Sequence, residues 1–145
     1  MRRAVTTAHA GLILVGCLLG TGSPAAWADP VVEPPEVQPE PWRTAFIDNP
    51  MILNPHPTGV ESWSRTEGGL AVNFTAGPAD CFGVHVIATE TAEEVLLDLH
   101  GGVPPDAIGR MCIALAVPGT VPVVLQEPLG DRRVVDVGVT LDKPS

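Results

Sequence analysis

Polar and apolar residues alternate along two pairs of short segments in the middle of the chain. In the first pair, segments 61–65 and 70–75 flank a Thr-Glu-Gly-Gly turn, and Leu70, Val72 and Phe74 recur at every second position of the second segment. Because side chains alternate between the two faces of a strand, this pattern predicts a β-hairpin. With the turn centred on its Glu-Gly pair, Trp63 lies opposite Val72, and both side chains are expected to face the core.

A second pair of segments, 84–89 and 94–100, shows the same alternation around a polar turn and predicts a second hairpin. If this turn is centred on its Ala-Glu pair, His85 lies opposite His100. Asp98, opposite Ile87, then shares the outer face with both histidines, and the opposite face carries Val84, Val86, Leu97 and Leu99. The two imidazoles are therefore expected to be neighbours.

The rest of the chain extends this β pattern. Segment 111–117 is apolar throughout, which is typical of a strand covered on both faces. Segments 121–125 and 133–139 flank a turn that contains proline and glycine, and they predict a third hairpin. About seven short strands with no sustained helical period predict an all-β fold, a small immunoglobulin-like β-sandwich.

One turn of helix is expected between the strands, near 104–110. Pro105 fits its first position and Asp106 is a candidate capping residue.

Residues 1–28 have the layout of a cleavable export signal. Arg2 and Arg3 precede a short apolar core over 11–20, and small residues end the segment at Ala28, directly before Asp29. Cleavage is therefore predicted between Ala28 and Asp29. The mature protein is expected to be secreted or held in the cell envelope.

Cys17 supplies an alternative for the same region. The residues Leu14-Val15-Gly16-Cys17 resemble the lipobox of bacterial lipoproteins, in which the cysteine carries the lipid and becomes the N-terminus. The apolar run continues beyond Cys17, which favours simple cleavage after Ala28, but both interpretations stay open. The run is about ten residues, shorter than the roughly 20 of a transmembrane helix, so no membrane span is predicted in the mature chain.

Proline dominates the next segment, 29–57, which contains eight prolines and several acidic residues. Proline lacks an amide donor and favours an extended backbone, so the first half predicts an acidic, semi-stiff linker. The second half is more apolar and is expected to pack on the domain. The β-sandwich is then assigned to 58–140 and a C-terminal tail to 141–145.

The charge of the chain excludes several partners. Its formal net charge is −9, and removal of the predicted signal takes away two arginines and no acidic residue. Nucleic acids and anionic lipids need clusters of Lys and Arg, which the mature chain lacks. We therefore expect neither as a partner.

Two cysteines, Cys81 and Cys112, remain once the signal is removed. In an oxidising compartment an even pair predicts a disulfide, which would stabilise so small a domain by roughly 3 to 4 kcal/mol. A metal site built on these cysteines is disfavoured because they have no Cys-x-x-Cys spacing.

Several of these motifs occur together in a way that resembles a group of small secreted proteins from actinobacteria, the mycobacteria and their relatives. The resemblance covers about residues 60 to 138. The motifs are Cys81-Phe82-Gly83-Val84, Glu90-Thr91, Gly101-Gly102-Val103-Pro104, Cys112 and the stretch from Pro128 to Asp136. The resemblance implies export and a β fold. The group has no assigned activity, so it implies no catalytic residue.

A non-enzymatic binding domain with an unknown envelope or extracellular partner is the favoured function, and by default the protein is taken to be a monomer. No Gly-x-Ser-x-Gly motif is present and both mature cysteines are expected to be oxidised, so neither an enzyme nor a cofactor is predicted. The alternative is an exported metal-binding protein in which His85, His100 and Asp98 hold zinc or copper together with a further loop ligand. Two surface histidines on a solvated sheet face are the simpler explanation of the same pair.

Overall fold

The strands of this protein are short and are joined by turns. The computed structural model describes Gly22 and residues 31–138, so the predicted cleavage site at Ala28 and Asp29 and the lipobox cysteine Cys17 lie outside the described residues. The strands of the described part are β1 (Thr44–Ala45), β2 (Leu53–Pro57), β3 (Ser62–Thr66), β4 (Gly69–Ala76), β5 (Gly83–Glu90), β6 (Glu94–Val103), β7 (Val117–Val124) and β8 (Arg133–Asp136).

These strands form two sheets. The first sheet has the order β1-β7-β4-β3, and the second has the order β2-β6-β5 with β8 also paired to β6. Strand β6 is ten residues long, and its two halves bind different neighbours along one edge. Its first half pairs in parallel with β8, and its second half pairs antiparallel with β2. The predicted all-β sandwich is confirmed.

Both hairpins in the middle of the chain have the expected register. In the first, Trp63 lies opposite Val72. In the second, His85 lies opposite His100, and the next outer pair joins Ile87 to Asp98. The alternation of side chains fixes this register because a shift of one residue would bring the apolar positions to the solvent face.

The core lies between the two sheets and is mainly aliphatic, and its buried aromatic residues are Phe46, Phe74 and, as expected, Trp63. Phe46 packs edge-on against Phe74, with 5.1 Å between the ring centroids. The side chains that are completely buried come from both sheets: Leu70, Val72, Phe74, Val84, Val95, Leu97, Leu99 and Val121.

The third hairpin is not formed. Strand β7 pairs with β4 and β1 in the first sheet, whereas β8 pairs with β6 in the second. The turn between them is a connection from one sheet to the other. The Arg132 side chain holds this connection, since it donates to the main-chain oxygens of Glu127 (2.8 Å) and Pro128 (2.9 Å).

The predicted strand over 111–117 is also wrong. Residues 111–116 belong to no strand, and β7 begins only at Val117. Residues 111–116 are all exposed, with Met111 at 98% and Ile113 at 70%, so neither face of this segment is covered within the described part of the chain. An apolar composition predicts burial, but it does not supply a neighbouring strand.

The proline-rich segment differs from the expected linker, because its described residues lie along the sandwich from residue 31 onward. The Trp63 indole donates to the main-chain oxygen of Pro34 (2.9 Å), and the amide of Trp63 donates to that of Pro35 (3.0 Å). Val37 donates back to the Trp63 oxygen (2.8 Å). Proline has no amide donor, but its carbonyl accepts as well as any other. The folded part therefore begins before residue 58.

Three ion pairs add to these backbone contacts along the same segment: Arg133 with Glu33 (2.5 Å), Arg65 with Glu36 (2.7 Å) and Arg43 with Glu40 (2.7 Å). Isolated bridges also join Val32 to Asp136, Glu36 to Trp63 and Asp48 to Val84.

Candidate functional site

The disulfide between Cys81 and Cys112 is formed, with its Cα atoms 6.0 Å apart. Cys81 lies just before β5, in the connection that leads from the first sheet to the second. Cys112 lies in the connection that leads back to β7. The disulfide therefore joins two loops at one end of the sandwich, and it does not link strands of opposite sheets as in an immunoglobulin domain.

The second of these loops begins with the expected helical turn, a 3₁₀ turn over Pro105–Ala107. Pro105 occupies its first position, but Asp106 makes no side-chain capping bond. The Ala107 side chain is buried and the amide of Arg110 donates to its oxygen (3.0 Å). This anchors the start of the loop, while Cys112 fixes its middle.

Between Ala107 and Cys112, and again after Cys112, the loop exposes aliphatic side chains. We call residues 108–116 the apolar loop. Its exposed side chains are Ile108 (66%), Met111 (98%), Ile113 (70%) and Leu115 (55%). Its disulfide partner Cys81 is only 4% exposed. A covalently fixed loop thus presents apolar surface to solvent.

A groove of about 490 Å³ lies beside the apolar loop, and Arg110 of this loop is one of the residues that line it. Phe82 and the exposed Ile47 contribute apolar walls, and three carboxylates contribute negative charge. These carboxylates belong to Asp48, Asp80 and Asp106. We call the apolar loop together with this groove the disulfide-end surface.

Most of the described arginines form ion pairs within the protein. Of the arginines that the structure describes, Arg43, Arg65, Arg132 and Arg133 each lie within ion-pair distance of a glutamate. Arg110 has no ion pair among the described residues. At the tip before β8, Arg132 is only 10% exposed and pairs with Glu90, whereas Arg133 is 56% exposed and pairs with Glu33 and Glu94.

Glu90 receives the most polar contacts at the opposite end of the sandwich. Its carboxylate accepts from the amides of Gln126 (2.7 Å) and Glu127 (3.3 Å) and from Arg132 Nη1 (3.0 Å). The backbone hydrogen bond from Gln126, supported by the Arg132 guanidinium, lowers the pKa of Glu90 below its ordinary value of 4.5. This group fastens the connection between β7 and β8 to the second sheet.

The outer face of the second sheet has a hollow beside the histidine pair. Gly83 and Gly102 lie opposite each other two residue pairs from His85 and His100, at the next position on the same face, so no side chain fills that position. Ile52 occupies the space: a Cβ placed on Gly83 would lie 2.7 Å from Ile52 Cγ2. Because Ile52 packs against Gly83, the segment before β2 lies over the sheet and partly covers the face that carries the histidines.

His85 and His100 line a pocket of about 180 Å³ that this arrangement leaves open, with Pro50, Ile52, Pro55 and Ile87 as its apolar walls. The two imidazoles are only 27% and 26% exposed. The face is therefore not fully solvated, in contrast to the simpler of the two expectations from the sequence.

Each histidine lies against a carboxylate of its own. His85 Nδ1 is 2.9 Å from Asp48 Oδ1, which also accepts from the amide of Val86 (2.8 Å). His100 Nε2 is 2.8 Å from Asp98 Oδ1, although this oxygen is buried and receives no aligned hydrogen bond. The sequence placed Asp98 correctly and missed Asp48, because Asp48 comes from a distant, proline-rich part of the chain.

The described residues contain no group of three or more histidine, cysteine, aspartate or glutamate side chains arranged to hold a metal ion. The further loop ligand that the sequence-based alternative required is therefore not found there. What the pocket offers is two imidazoles.

No protein family, curated protein or solved structure matches this chain. The resemblance to small secreted actinobacterial proteins therefore stays a prediction. Over the part of the chain that the structure describes, no helix is long and apolar enough to cross a membrane.

Proposed function

We propose that this protein is an exported, non-enzymatic interaction domain that binds a protein partner through its disulfide-end surface. The observation that carries the proposal is the exposure of four aliphatic side chains on one loop, from 55% for Leu115 to 98% for Met111. Clustered apolar exposure is unfavourable in water unless a partner covers it, and it marks interaction sites in soluble proteins.

The charge beside the apolar loop indicates the chemistry of the partner. Asp48, Asp80 and Asp106 line the groove against one guanidinium, that of Arg110. A partner surface with apolar side chains in its centre and Lys or Arg at its rim would complement both parts. Nucleic acids and anionic lipids would instead be repelled by the acidic chain.

The disulfide supports binding by limiting the freedom of the apolar loop before a partner arrives. Cys112 ties the loop to Cys81, which is buried. A loop that is already restrained loses less conformational entropy on binding, so more of the contact energy appears as affinity.

Capture of a partner from envelope extracts tests the surface directly. Met111→Glu and Ile113→Glu place a charge where an apolar contact is expected, and each should weaken capture by at least about tenfold. Val124→Glu is the matched control, because Val124 is also an exposed aliphatic residue (84%) but lies at the far end of β7. Equal capture by all three variants would show that the disulfide-end surface is not the binding site.

Export is part of the same proposal and has its own test. Intact mass of the protein recovered from culture medium and from membranes distinguishes a chain that begins at Asp29 from one that carries a lipid on Cys17. A protein found uncleaved in the cytosol, with Cys81 and Cys112 reduced, would contradict export by either route.

A further inference from the structure

We propose that His85 and His100 together bind a divalent copper ion in the pocket on the outer face of the second sheet. The proposal goes beyond the interaction function, since the two histidines line a separate pocket beside Ile52. The two sites share one residue, Asp48, which lines the groove of the disulfide-end surface and also contacts His85.

The register of the hairpin brings the two imidazoles within reach of one ion. His85 and His100 are directly opposite each other on β5 and β6. Side chains paired in this way have Cβ atoms about 4.5 to 5.5 Å apart, and both lie on the same face. Both rings line the one pocket of about 180 Å³, so an ion between them would be surrounded by their nitrogens and by its apolar walls.

The carboxylates leave one ring nitrogen free on each histidine. Asp48 occupies Nδ1 of His85, which leaves Nε2 for a ligand, and Asp98 lies against Nε2 of His100, which leaves Nδ1. Histidines that bind metals usually carry a carboxylate or carbonyl on the second nitrogen, which fixes the tautomer and the ring. Asp48 and Asp98 therefore orient the ligands and do not themselves bind the ion.

Asp98 adds a separate observation. Its Oδ1 is buried and receives no aligned hydrogen bond in the described part of the chain, although His100 Nε2 lies 2.8 Å away. Buried polar atoms normally have a partner. An ion on Nδ1 of His100 would keep the proton on Nε2, where a small rotation of the ring aligns it with Asp98.

The ligand set favours copper among the divalent ions. Two imidazole nitrogens leave the remaining coordination positions to water, because the described residues supply no third ligand. At such a nitrogen site the affinities of first-row divalent ions rise to a maximum at Cu²⁺. An open site of this kind binds an ion that can exchange, and it does not hold a structural metal.

Titration of the full exported chain with CuCl₂, followed by calorimetry and electron paramagnetic resonance, tests the site. We expect one Cu²⁺ per chain and a spectrum with hyperfine coupling to two imidazole nitrogens. His85→Ala and His100→Ala should each lower the affinity at least about tenfold and remove one nitrogen coupling. His56→Ala is the control, because His56 lies on the adjacent strand β2 but does not line the pocket.

Variants of the two carboxylates separate their role from that of the ligands. Asp48→Asn and Asp98→Asn should keep both nitrogen couplings while the affinity falls by about 10- to 100-fold. Fluorescence of the buried Trp63 checks that each variant is folded. The proposal is overturned if copper binds without nitrogen coupling, if His56→Ala lowers the affinity as much as His85→Ala, or if no binding is detected at about micromolar copper.

Discussion

Removal of the disulfide is the sharpest test of how this domain is stabilised, and Cys112→Ala is the most informative change. Cys112 is exposed and its loop belongs to no strand, so the substitution costs almost no packing. Cys81 is buried and keeps its sulfur in place. The variant therefore removes the covalent link and little else.

The expected magnitude follows from the length of the loop that the link closes. The two cysteines are 31 residues apart in the sequence. In the chain-entropy account, opening a loop of this length raises the entropy of the unfolded chain and lowers the free energy of unfolding by about 3.7 kcal/mol at 25 °C. This is a large fraction of the roughly 5 to 15 kcal/mol typical of a folded domain.

Urea unfolding followed by tryptophan fluorescence measures this loss, because Trp63 is 6% exposed in the folded state. The midpoint should fall, and the dependence on urea should steepen, since the unfolded chain without a crosslink exposes more surface. Wild-type protein unfolded in the presence of a reductant is the control and should match Cys112→Ala. A loss below about 1 kcal/mol would refute the reasoning and would show that the unfolded chain is restrained by something other than this link.

Two further predictions concern single residues. Glu90→Gln should destabilise the protein at neutral pH, because the carboxylate accepts from Gln126 and Arg132. The folded-state pKa of Glu90 is lowered, so its contribution is complete above about pH 4.5 and is lost as the pH falls through the lowered value. The difference in stability between wild type and variant, measured by urea unfolding across pH, should therefore shrink on acidification, and a constant difference would contradict this. Gly102→Ala should cost about 1 to 3 kcal/mol in the same assay, because its Cβ would lie 2.7 Å from a main-chain oxygen. Gly68→Ala, with nothing within 4 Å of the new Cβ, should be close to neutral, and equal losses in the two variants would count against the packing argument.

The sequence predicted best what is decided by neighbouring residues. The register that pairs His85 with His100 follows from alternation around a short turn, and both are local properties. The partner of β8 could not be found in this way, because β8 pairs in parallel with β6 and no turn joins the two strands. A turn with proline and glycine predicted a hairpin where the chain instead crosses between sheets.

For the same reason, the sequence predicted only some of the residues in the candidate sites. Asp98 is two residues from His100 and shares its face by strand periodicity, so the sequence could place it. Asp48 contacts His85 only because the proline-rich segment lies along the sandwich. No local sequence pattern predicts the path of this segment. Residues 111–117, which include most of the apolar loop, were expected to form a buried strand because their composition is that of a core segment. Composition alone does not show whether a neighbouring strand is present.

The path of the proline-rich segment has a consequence for how this protein avoids self-association of its sheets. Unpaired strand edges attract other strands and promote aggregation. The segment meets three outer edges in turn: Val32 on β8, Glu36 on β3 and Asp48 on β5. Each contact is brief and uses a backbone rich in proline, which continues no ladder. Within the described residues the segment therefore covers part of the edges of β8, β3 and β5, which would otherwise be open to pairing with strands of other chains.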